Sequence, residues 1–280
     1  MKHTEEILQR AGQQSTYFQC WLPEAAPKAI VLLVHGAGEH SGRYGHVGEF
    51  FAANGLAVAA LDHRGHGHSG GRAGHIAIFD DYLSDLTAFN NEIEGRFPAV
   101  PMFLLGHSLG GLIACHYLLT QQHRFVGCIL SGALITSDLQ PGWLQMQAIR
   151  LLALLAPRLG VMQLDASGVS RDPEEVKKYL EDPLVFHGKA SARMVRELFA
   201  GMATVQAGVT GITLPMLILH GGADVMTSPD GSRYLHQHIT SADKTLRVYP
   251  GLYHEILNEP ERQDVLDQIL SWCEKRLPHQ

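Results

Sequence analysis

The stretch that decides the fold is Gly106-His107-Ser108-Leu109-Gly110, which has the pattern G-x-S-x-G. It follows a short apolar run, Pro101 to Leu105, and precedes an apolar helix-like run, Gly111 to Thr120. Between a strand and a helix, this pattern forms a sharp turn that lifts the serine hydroxyl above the edge of a sheet. Side chains at the two glycine positions would collide with the neighbouring strand and helix. The pattern therefore predicts that Ser108 is a nucleophile; the alternative is a glycine-rich turn whose serine caps a helix.

A serine nucleophile at such a turn is followed along the chain by an acid and then by a histidine. The apolar run from Leu214 to His220 predicts a buried strand, and Asp224 stands in the glycine-rich loop after it. The next strand-like run ends at Tyr249 and leads into a turn that carries His254. We predict Asp224 as the acid and His254 as the general base. The other carboxylates considered follow no comparable apolar run: Asp138, Asp165, Asp172, Asp182 and Asp243.

These residue types suit acyl transfer. Serine is a weak nucleophile, so an imidazole must take its proton during attack, and a carboxylate must orient that imidazole. The negative charge that develops on the carbonyl oxygen needs fixed donors, each contributing about 3–4 kcal/mol. One donor is expected to be the amide of Leu109, the residue after the nucleophile. The other is expected from the loop His35 to Gly38, which follows the strand-like run Ala29 to Val34.

The chain resembles the monoacylglycerol lipases and the related lysophospholipases of the serine hydrolase superfamily. The segments that carry the resemblance are His35 to Tyr44, Asp62 to Ser69, Gly106 to Gly111, Ser170-Arg171, Asp182 to Leu184 and Asp243 to Leu246. The resemblance implies cleavage of glycerol monoesters of fatty acids through an acyl-enzyme. No cofactor is expected, because no G-x-G-x-x-G opens a helix after the first strand and no G-x-x-x-x-G-K-[ST] appears. The resemblance implies that Ala37 and Leu109 supply the oxyanion amides. It also implies that Glu39, Arg43 and Tyr179 line a small pocket for the glycerol moiety.

Two positions depart from the mammalian members of this family. Those members carry a second histidine three residues after the catalytic one, whereas this chain continues His254-Glu255-Ile256-Leu257. The pocket around the alcohol product is therefore expected to differ. Thr227 stands where mammalian members have a reactive cysteine near the acid, so inhibition by thiol reagents is not expected at this position.

Composition limits the partners and the location. A net charge of −6 argues against a nucleic-acid partner, which requires basic clusters. The chain has no apolar run long enough to span a membrane, and acidic residues follow Met1 where a signal peptide would be basic and then apolar. The four cysteines show neither a metal nor a paired spacing: Cys20, Cys115, Cys128 and Cys273. A cytoplasmic location is the expectation, and the sequence does not define an oligomeric state.

Strand-like and helix-like runs alternate along most of the chain, which predicts a mostly parallel, doubly wound sheet of the α/β-hydrolase fold. The further runs are Gly55 to Leu61, Asp80 to Phe97, Phe125 to Leu130, Ser228 to His238 and Gln263 to Arg276. The alternation stops between residues 133 and 211, where the sequence is helical and loop-like. We therefore expect a hydrolase core, residues 1–132 and 212–280, with an inserted helical cap, residues 133–211.

The first helix of this cap, Trp143 to Ala156, is apolar almost all round. One interpretation is a helix packed between the core and other cap elements. The other, which the resemblance favours, is a lid that lines an acyl tunnel and makes transient contact with membranes. Arg150 and Arg158 on its flanks suit an interfacial helix.

Seventeen histidines raise the alternative of a metal site, centred on His63, His66, His68 and His75. The glycines among them indicate a tight turn instead, so no metal is predicted. His35 and His107 are expected to be packing or hydrogen-bonding residues. His220 is expected to be structural, and His236 and His238 to be solvated.

Three functions stay open at this stage. The first is a serine esterase acting on monoacylglycerols, and the second is a broader carboxylesterase, lysophospholipase, peptidase or C–C bond hydrolase. The third is a hydrolase-fold protein that binds a lipid or hormone without turnover. An intact serine, acid and histidine argues against the third, because a pure binder does not need all three.

Overall fold

Ten strands form two sheets in the computed structural model, which describes residues 1–136, 142–163 and 166–277. The strands are β1 Lys2–Leu8, β2 Thr16–Leu22, β3 Ala29–Val34, β4 Leu56–Leu61, β5 Met102–His107, β6 Gly127–Ser131, β7 Gly160–Met162, β8 Ala190–Ser191, β9 Met216–Gly221 and β10 Lys244–Tyr249. Eight of them make the central sheet in the order β1-β2-β4-β3-β5-β6-β9-β10, and β7 pairs with β8. From β4 to β10 all pairings in the central sheet are parallel, as the sequence predicted.

Helices cover both faces of this sheet. They are α1 Gly45–Ala53, α2 Asp80–Arg96, α3 Leu109–Gln121, α4 Trp143–Leu155, α5 Pro173–Glu181, α6 Ala192–Gly208, α7 Pro229–His238 and α8 Arg262–Glu274. Alternate strand residues enter opposite cores: Leu104 joins the core under α2, α3 and α6, and Leu105 joins the core under α1 and α8. Each fully buried side chain of this size contributes about 1.5–3 kcal/mol through the hydrophobic effect.

The sequence analysis did not identify the hairpin at the start of the chain. β1 pairs antiparallel with β2, and β2 pairs antiparallel with β4, so the sheet is extended at this edge. β1 has the polar sequence KHTEEIL and alternates between exposed and half-buried residues, which is a weak strand signal. The aromatic side chains of β2 are buried against the sheet.

The inserted segment, residues 133–211, contributes no strand to the central sheet among its described residues. It contains α4, α5, α6 and the small β7–β8 sheet, where the sequence analysis predicted helices and loops. It leaves the sheet at the carboxyl end of β6 and leads into the amino end of β9. Within the described parts of the chain, no helix has the length and apolar character that crossing a membrane needs.

Helix α4 is more exposed than a helix enclosed on two sides would be. It packs on α6, but of its thirteen residues, all described, only Ala153 is buried. The exposed apolar side chains include Trp143, Leu144, Leu151, Leu154 and Leu155. The interpretation of α4 as a helix packed on both sides is therefore wrong.

Candidate active site

Ser108 occupies a strained turn between β5 and α3. Its φ of 52° and ψ of −117° lie in a region that non-glycine residues rarely adopt. Its amide donates to the Ser131 carbonyl on β6 at 3.0 Å, and its carbonyl accepts from the amides of Gly111 and Leu134, both at 3.0 Å. These bonds hold a conformation that costs about 1–3 kcal/mol and that presents the side chain at the end of β5.

The two glycines of the pattern are required by close backbone approach. A Cβ on Gly106 would lie 2.5 Å from the carbonyl oxygen of Gly110, at the start of α3. A Cβ on Gly110 would lie 2.0 Å from the carbonyl oxygen of Val34 on β3. The predicted collisions with the neighbouring helix and strand are confirmed.

The loops that carry Asp224 and His254 meet because β9 and β10 are parallel neighbours. Ala223 donates its amide to the Leu252 carbonyl at 2.9 Å, which joins the two loops directly. The inserted segment also contributes: the amide of Glu255 donates to the Val169 carbonyl at 2.8 Å. His254 and Asp224 thereby come into contact, with 2.7 Å between His254 Nδ1 and Asp224 Oδ2.

The Asp224 carboxylate is surrounded by hydrogen-bond donors. Oδ1 accepts from the backbone amides of Met226, at 2.8 Å, and Thr227, at 3.0 Å. Oδ2 contacts His254, the Thr227 hydroxyl at 2.8 Å and His220 Nε2 at 3.0 Å. Every one of these groups stabilises the ionised acid.

The pKa values follow from this arrangement. Burial works to raise the pKa of Asp224, but hydrogen bonds from His220 and His254 outweigh it and hold that pKa well below its usual range. Burial works to lower the pKa of His254, but the hydrogen bond to Asp224 and the charges of Asp224, Glu255 and Glu39 raise it. A buried imidazole that gains a proton readily beside an ionised carboxylate suits a general base.

Of the other carboxylates considered for the acid, three are engaged elsewhere. Asp172 accepts from the amide of Glu174 at the start of α5, Asp182 contacts His40 Nε2 at 2.9 Å, and Asp243 pairs with Arg276. The remaining two, Asp138 and Asp165, lie outside the described residues. Asp224 is thus the carboxylate that the described structure brings to His254.

His220 and Thr227 take part in this network, which the sequence analysis did not predict. His220 Nε2 faces Asp224 Oδ2 and the Thr227 carbonyl, both acceptors, so this nitrogen carries the proton. His220 Nδ1 then accepts from the Ser232 hydroxyl at 2.7 Å. The sequence analysis expected a structural role for His220, and the structure shows that its partner is the candidate acid itself.

The other buried histidines support the loops around the site. His35 donates from Nδ1 to the Gly36 carbonyl at 2.8 Å and accepts at Nε2 from the His63 amide at 2.9 Å. His107 Nδ1 lies 2.9 Å from the Ser131 carbonyl. Burial lowers the pKa of His63 to about 3 and, with the charge of His254, that of His107 to about 4, so both are neutral. The predicted packing and hydrogen-bonding roles of His35 and His107 are confirmed.

The two residues expected to form the oxyanion hole flank Ser108. Leu109 is the first residue of α3, where a helix leaves its amides without an intrahelical acceptor. Ala37 lies in the wall of the cavity that contains Ser108 and His254. The Ala37 loop is held in place by Gly38, whose carbonyl accepts from the Phe186 amide at 2.7 Å.

Ser108 and His254 open into a cavity of about 130 Å³ between the sheet and the inserted segment. Its apolar walls come mainly from the inserted segment: Leu134, Met162, Val169, Met194 and Leu198. A second cavity, of about 430 Å³, shares Ala37, Met162, Tyr179, Ala190 and Met194 with the first. The two together offer an apolar space that leads away from the serine.

A buried cluster of charges lies at one end of the cavity. Arg43 donates from Nη1 and Nη2 to the two carboxylate oxygens of Glu255, at 2.6 and 2.8 Å, and from Nη1 to Glu39 at 3.0 Å. The guanidinium carbon lies 4.7 Å from the centre of the Tyr179 ring. Glu39, Tyr179 and Glu255 line the cavity, whereas Arg43 contacts all three from outside its lining. The structure therefore brings together the three residues expected at the glycerol pocket and adds Glu255.

Known proteins resemble this chain over nearly its whole length. The family model described as serine aminopeptidase, S33 matches residues 25–261. A monoacylglycerol lipase of Mycolicibacterium smegmatis is 39% identical over 274 residues, which cover 98% of each chain. The human monoglyceride lipase is 32% identical over 96% of this chain and 90% of its own.

The fold is shared with a solved structure. The crystal structure of the monoacylglycerol lipase of Paleococcus ferrophilus superposes with a TM-score of 0.84 at 32% identity, covering 93% of this chain and 99% of that one. The predicted fold and the predicted resemblance are both confirmed by these similarities. The chain belongs to the serine aminopeptidase S33 family of α/β-hydrolases, in the group that includes the monoacylglycerol lipases.

Proposed function

We propose that this protein is a serine hydrolase that cleaves monoacylglycerols to a free fatty acid and glycerol. The observation that carries the proposal is that His254, which is paired with Asp224, lines the same cavity as the strained Ser108. The monoacylglycerol lipases among the relatives, 39% identical over 98% of the chain in one case, support the substrate class.

In this proposal the three residues act in sequence. His254 takes the proton of Ser108 as the serine oxygen attacks the ester carbonyl, and the amides of Ala37 and Leu109 stabilise the oxyanion. Asp224 stabilises the imidazolium that forms. Protonated His254 then donates to the leaving glycerol oxygen, and water releases the fatty acid from the acyl-enzyme by the same steps.

The cavity suits one acyl chain and one small polar alcohol. The apolar walls from the inserted segment favour a hydrocarbon chain, and Glu39, Glu255 and Tyr179 add polar side chains to the lining of the same cavity. We propose that the inserted segment, residues 133–211, acts as a cap that selects the substrate while the sheet supplies the chemistry.

A panel of esters tests this function. We expect monoacylglycerols of medium and long chain to be cleaved far faster than triacylglycerols, whose two further chains exceed the alcohol end of the cavity. The assay compares rates in matched detergent and includes lysophospholipids and 4-nitrophenyl esters of graded length. Comparable rates on mono- and triacylglycerols would refute the narrow pocket. A preference for lysophospholipids would favour the lysophospholipase alternative, in line with the phospholipase YtpA of Bacillus subtilis, a relative 31% identical over 85% of this chain.

Two variants test whether a residue binds the glycerol moiety or only stabilises the structure of the pocket. Tyr179→Phe removes a hydroxyl from the cavity wall, so we expect KM to rise about two- to tenfold for glycerol esters and little for 4-nitrophenyl esters. Arg43→Met leaves Glu39 and Glu255 buried without their cation. We expect it to destabilise the fold by about 3–5 kcal/mol and to impair both substrates alike. Urea unfolding and steady-state kinetics measure the two effects. A selective effect of Arg43→Met on glycerol esters, with stability unchanged, would show that Arg43 contacts glycerol itself.

We further propose that the cap makes transient contact with membrane surfaces through α4. Leu154 and Leu155 are 70% and 72% exposed, and Trp143 at the start of the helix is 73% exposed. Single-chain lipid esters partition into bilayers, so an apolar face on the cap would lie where the substrate is concentrated.

We also propose a cytoplasmic location, which the four buried free thiols support.

A further inference from the structure

A third, open cleft of about 760 Å³ lies beside the carboxyl end of α4. Three segments meet there and are joined by hydrogen bonds. The Arg193 amide donates to the Pro157 carbonyl at 3.1 Å, the Ala192 amide donates to the Leu159 carbonyl at 2.8 Å, and His75 Nδ1 contacts the Ser191 hydroxyl at 2.8 Å. These hydrogen bonds therefore fix the shape of the cleft, which lies between the core loop around residue 75 and the cap.

Two arginines make the cleft basic. Arg158 and Arg193 line it together with His75. Burial and the charges of Arg158, Arg72 and Arg193 lower the pKa of His75, so the positive charge of the cleft comes from its arginines and not from this imidazole.

Little negative charge compensates these arginines. Among residues 1–136, 142–163 and 166–277, no carboxylate forms an ion pair with Arg72 or Arg158. Glu197 lies 4.0 Å from Arg193, but it also pairs with Arg196 at 2.5 Å. The cleft thus offers cationic donors to an anion. Guanidinium groups bind phosphate oxygens especially well, because their planar donors match the phosphate geometry.

The surroundings of the cleft are apolar and exposed. Leu159, which lines it, is 50% exposed, Leu155 on α4 is 72% exposed, and Ile78 on the core loop is 51% exposed. The catalytic cavity is adjacent along the chain, because Met194 lines that cavity and Arg193 lines the cleft. A surface bound here would contact α6, the same helix that contributes Met194 and Leu198 to the catalytic cavity.

We propose that this cleft binds the phosphate headgroup of an anionic phospholipid while the apolar side chains of α4 enter the same bilayer. The proposal rests on the membrane contact proposed above and adds a lipid class to it. A basic cleft ringed by exposed leucine and isoleucine matches the chemistry of a bilayer surface, where phosphates lie directly above hydrocarbon. Free phosphate offers the same anion without the hydrocarbon.

Vesicle flotation with the full chain tests this inference. One set of vesicles contains phosphatidylcholine alone, and the other also contains phosphatidylglycerol. We expect tighter binding to the anionic set, and we expect the double variant Arg158→Gln/Arg193→Gln to lose about 25-fold in affinity for it, about fivefold per arginine. The same variant should bind neutral vesicles as the parent protein does.

Two further variants separate the contribution of the cleft arginines from general surface charge and from the apolar contact. Arg233→Gln, on α7, is a single surface-charge control, because Arg233 is exposed and does not line the cleft. We expect it to change binding to either set little. Leu154→Ser/Leu155→Ser should weaken binding to both sets, by about tenfold for each side chain that enters the bilayer.

Four outcomes are distinguishable. Equal binding of the parent protein to both sets, or an unchanged affinity of the arginine variant, would overturn the headgroup site. Suppression of vesicle binding by millimolar inorganic phosphate would support it, whereas binding of phosphate without binding of vesicles would overturn the bilayer as the ligand. If the parent protein did not hydrolyse a short soluble 4-nitrophenyl ester, that result would contradict the proposed function and leave the headgroup site unaffected. The thermal unfolding midpoint confirms that each variant is folded.

Discussion

Ser108→Ala is expected to abolish ester hydrolysis while the protein stays folded. The substitution removes the hydroxyl that would form the acyl-enzyme, and losing the nucleophile of a triad costs about 10⁶-fold in kcat. Alanine opens no core cavity here, because Ser108 is only half-buried. The backbone bonds of the turn to Ser131, Gly111 and Leu134 use main-chain atoms, so they persist in the variant.

Steady-state hydrolysis of a monoacylglycerol and labelling by a fluorophosphonate measure this effect. We expect the parent protein to gain one covalent adduct and Ser108→Ala to gain none. Ser131→Ala is a matched control, because Ser131 is buried beside the same turn, and its hydroxyl lies 3.2 Å from His107 Nδ1. It should keep most of the activity. Retention of more than a small fraction of activity by Ser108→Ala would show that another nucleophile does the chemistry.

The sequence was most informative where strand order and loop position are linked. In a parallel sheet the carboxyl ends of neighbouring strands share one edge, so an acid after β9 and a histidine after β10 are brought together by topology. The G-x-S-x-G pattern places Ser108 at the same edge, at the end of β5. Asp224 and His254 could therefore be placed in contact without any knowledge of side-chain packing.

Features that depend on packing between distant segments were not predictable in the same way. His220 and Asp224 are four residues apart, yet their contact depends on how the loop after β9 turns back over its own strand. The bidentate contact between Arg43 and Glu255 joins residues 212 positions apart. The exposure of α4 depends on which elements the inserted segment packs against, and an apolar sequence alone is compatible with burial or with exposure.

The hydrogen bonds around Asp224 also determine how an asparagine side chain would be oriented at this position. The backbone amides of Met226 and Thr227 both donate to Oδ1, so in Asp224→Asn the amide oxygen is expected to occupy that position. The NH₂ group then occupies the position of Oδ2, 2.7 Å from His254 Nδ1. Because NH₂ can only donate, His254 Nδ1 must accept, which places the imidazole proton on Nε2.

That tautomer cannot accept the proton of Ser108, so we expect Asp224→Asn to lose about 10⁴-fold in kcat. The variant also lacks the charge and the charged hydrogen bond that raise the pKa of His254. Activity requires the neutral imidazole and is lost as the pH falls through the pKa of His254. The acid limb of kcat/KM should therefore move to lower pH while the plateau falls. The pH profile of residual hydrolysis measures both changes.

Asp182→Asn is the matched control for this prediction. Asp182 makes the same kind of contact, 2.9 Å from Oδ2 to His40 Nε2, and likewise accepts from a backbone amide, that of Leu184 at 2.8 Å. It lies outside the lining of the cavity that contains Ser108, so its loss should leave the acid limb in place and most of the activity intact. The reverse result, with Asp224→Asn active and Asp182→Asn inactive, would mean that the acid of the reaction is not the carboxylate beside His254. A fall in activity without a shift of the acid limb would mean that Asp224 supports the loop and does not set the protonation of the base.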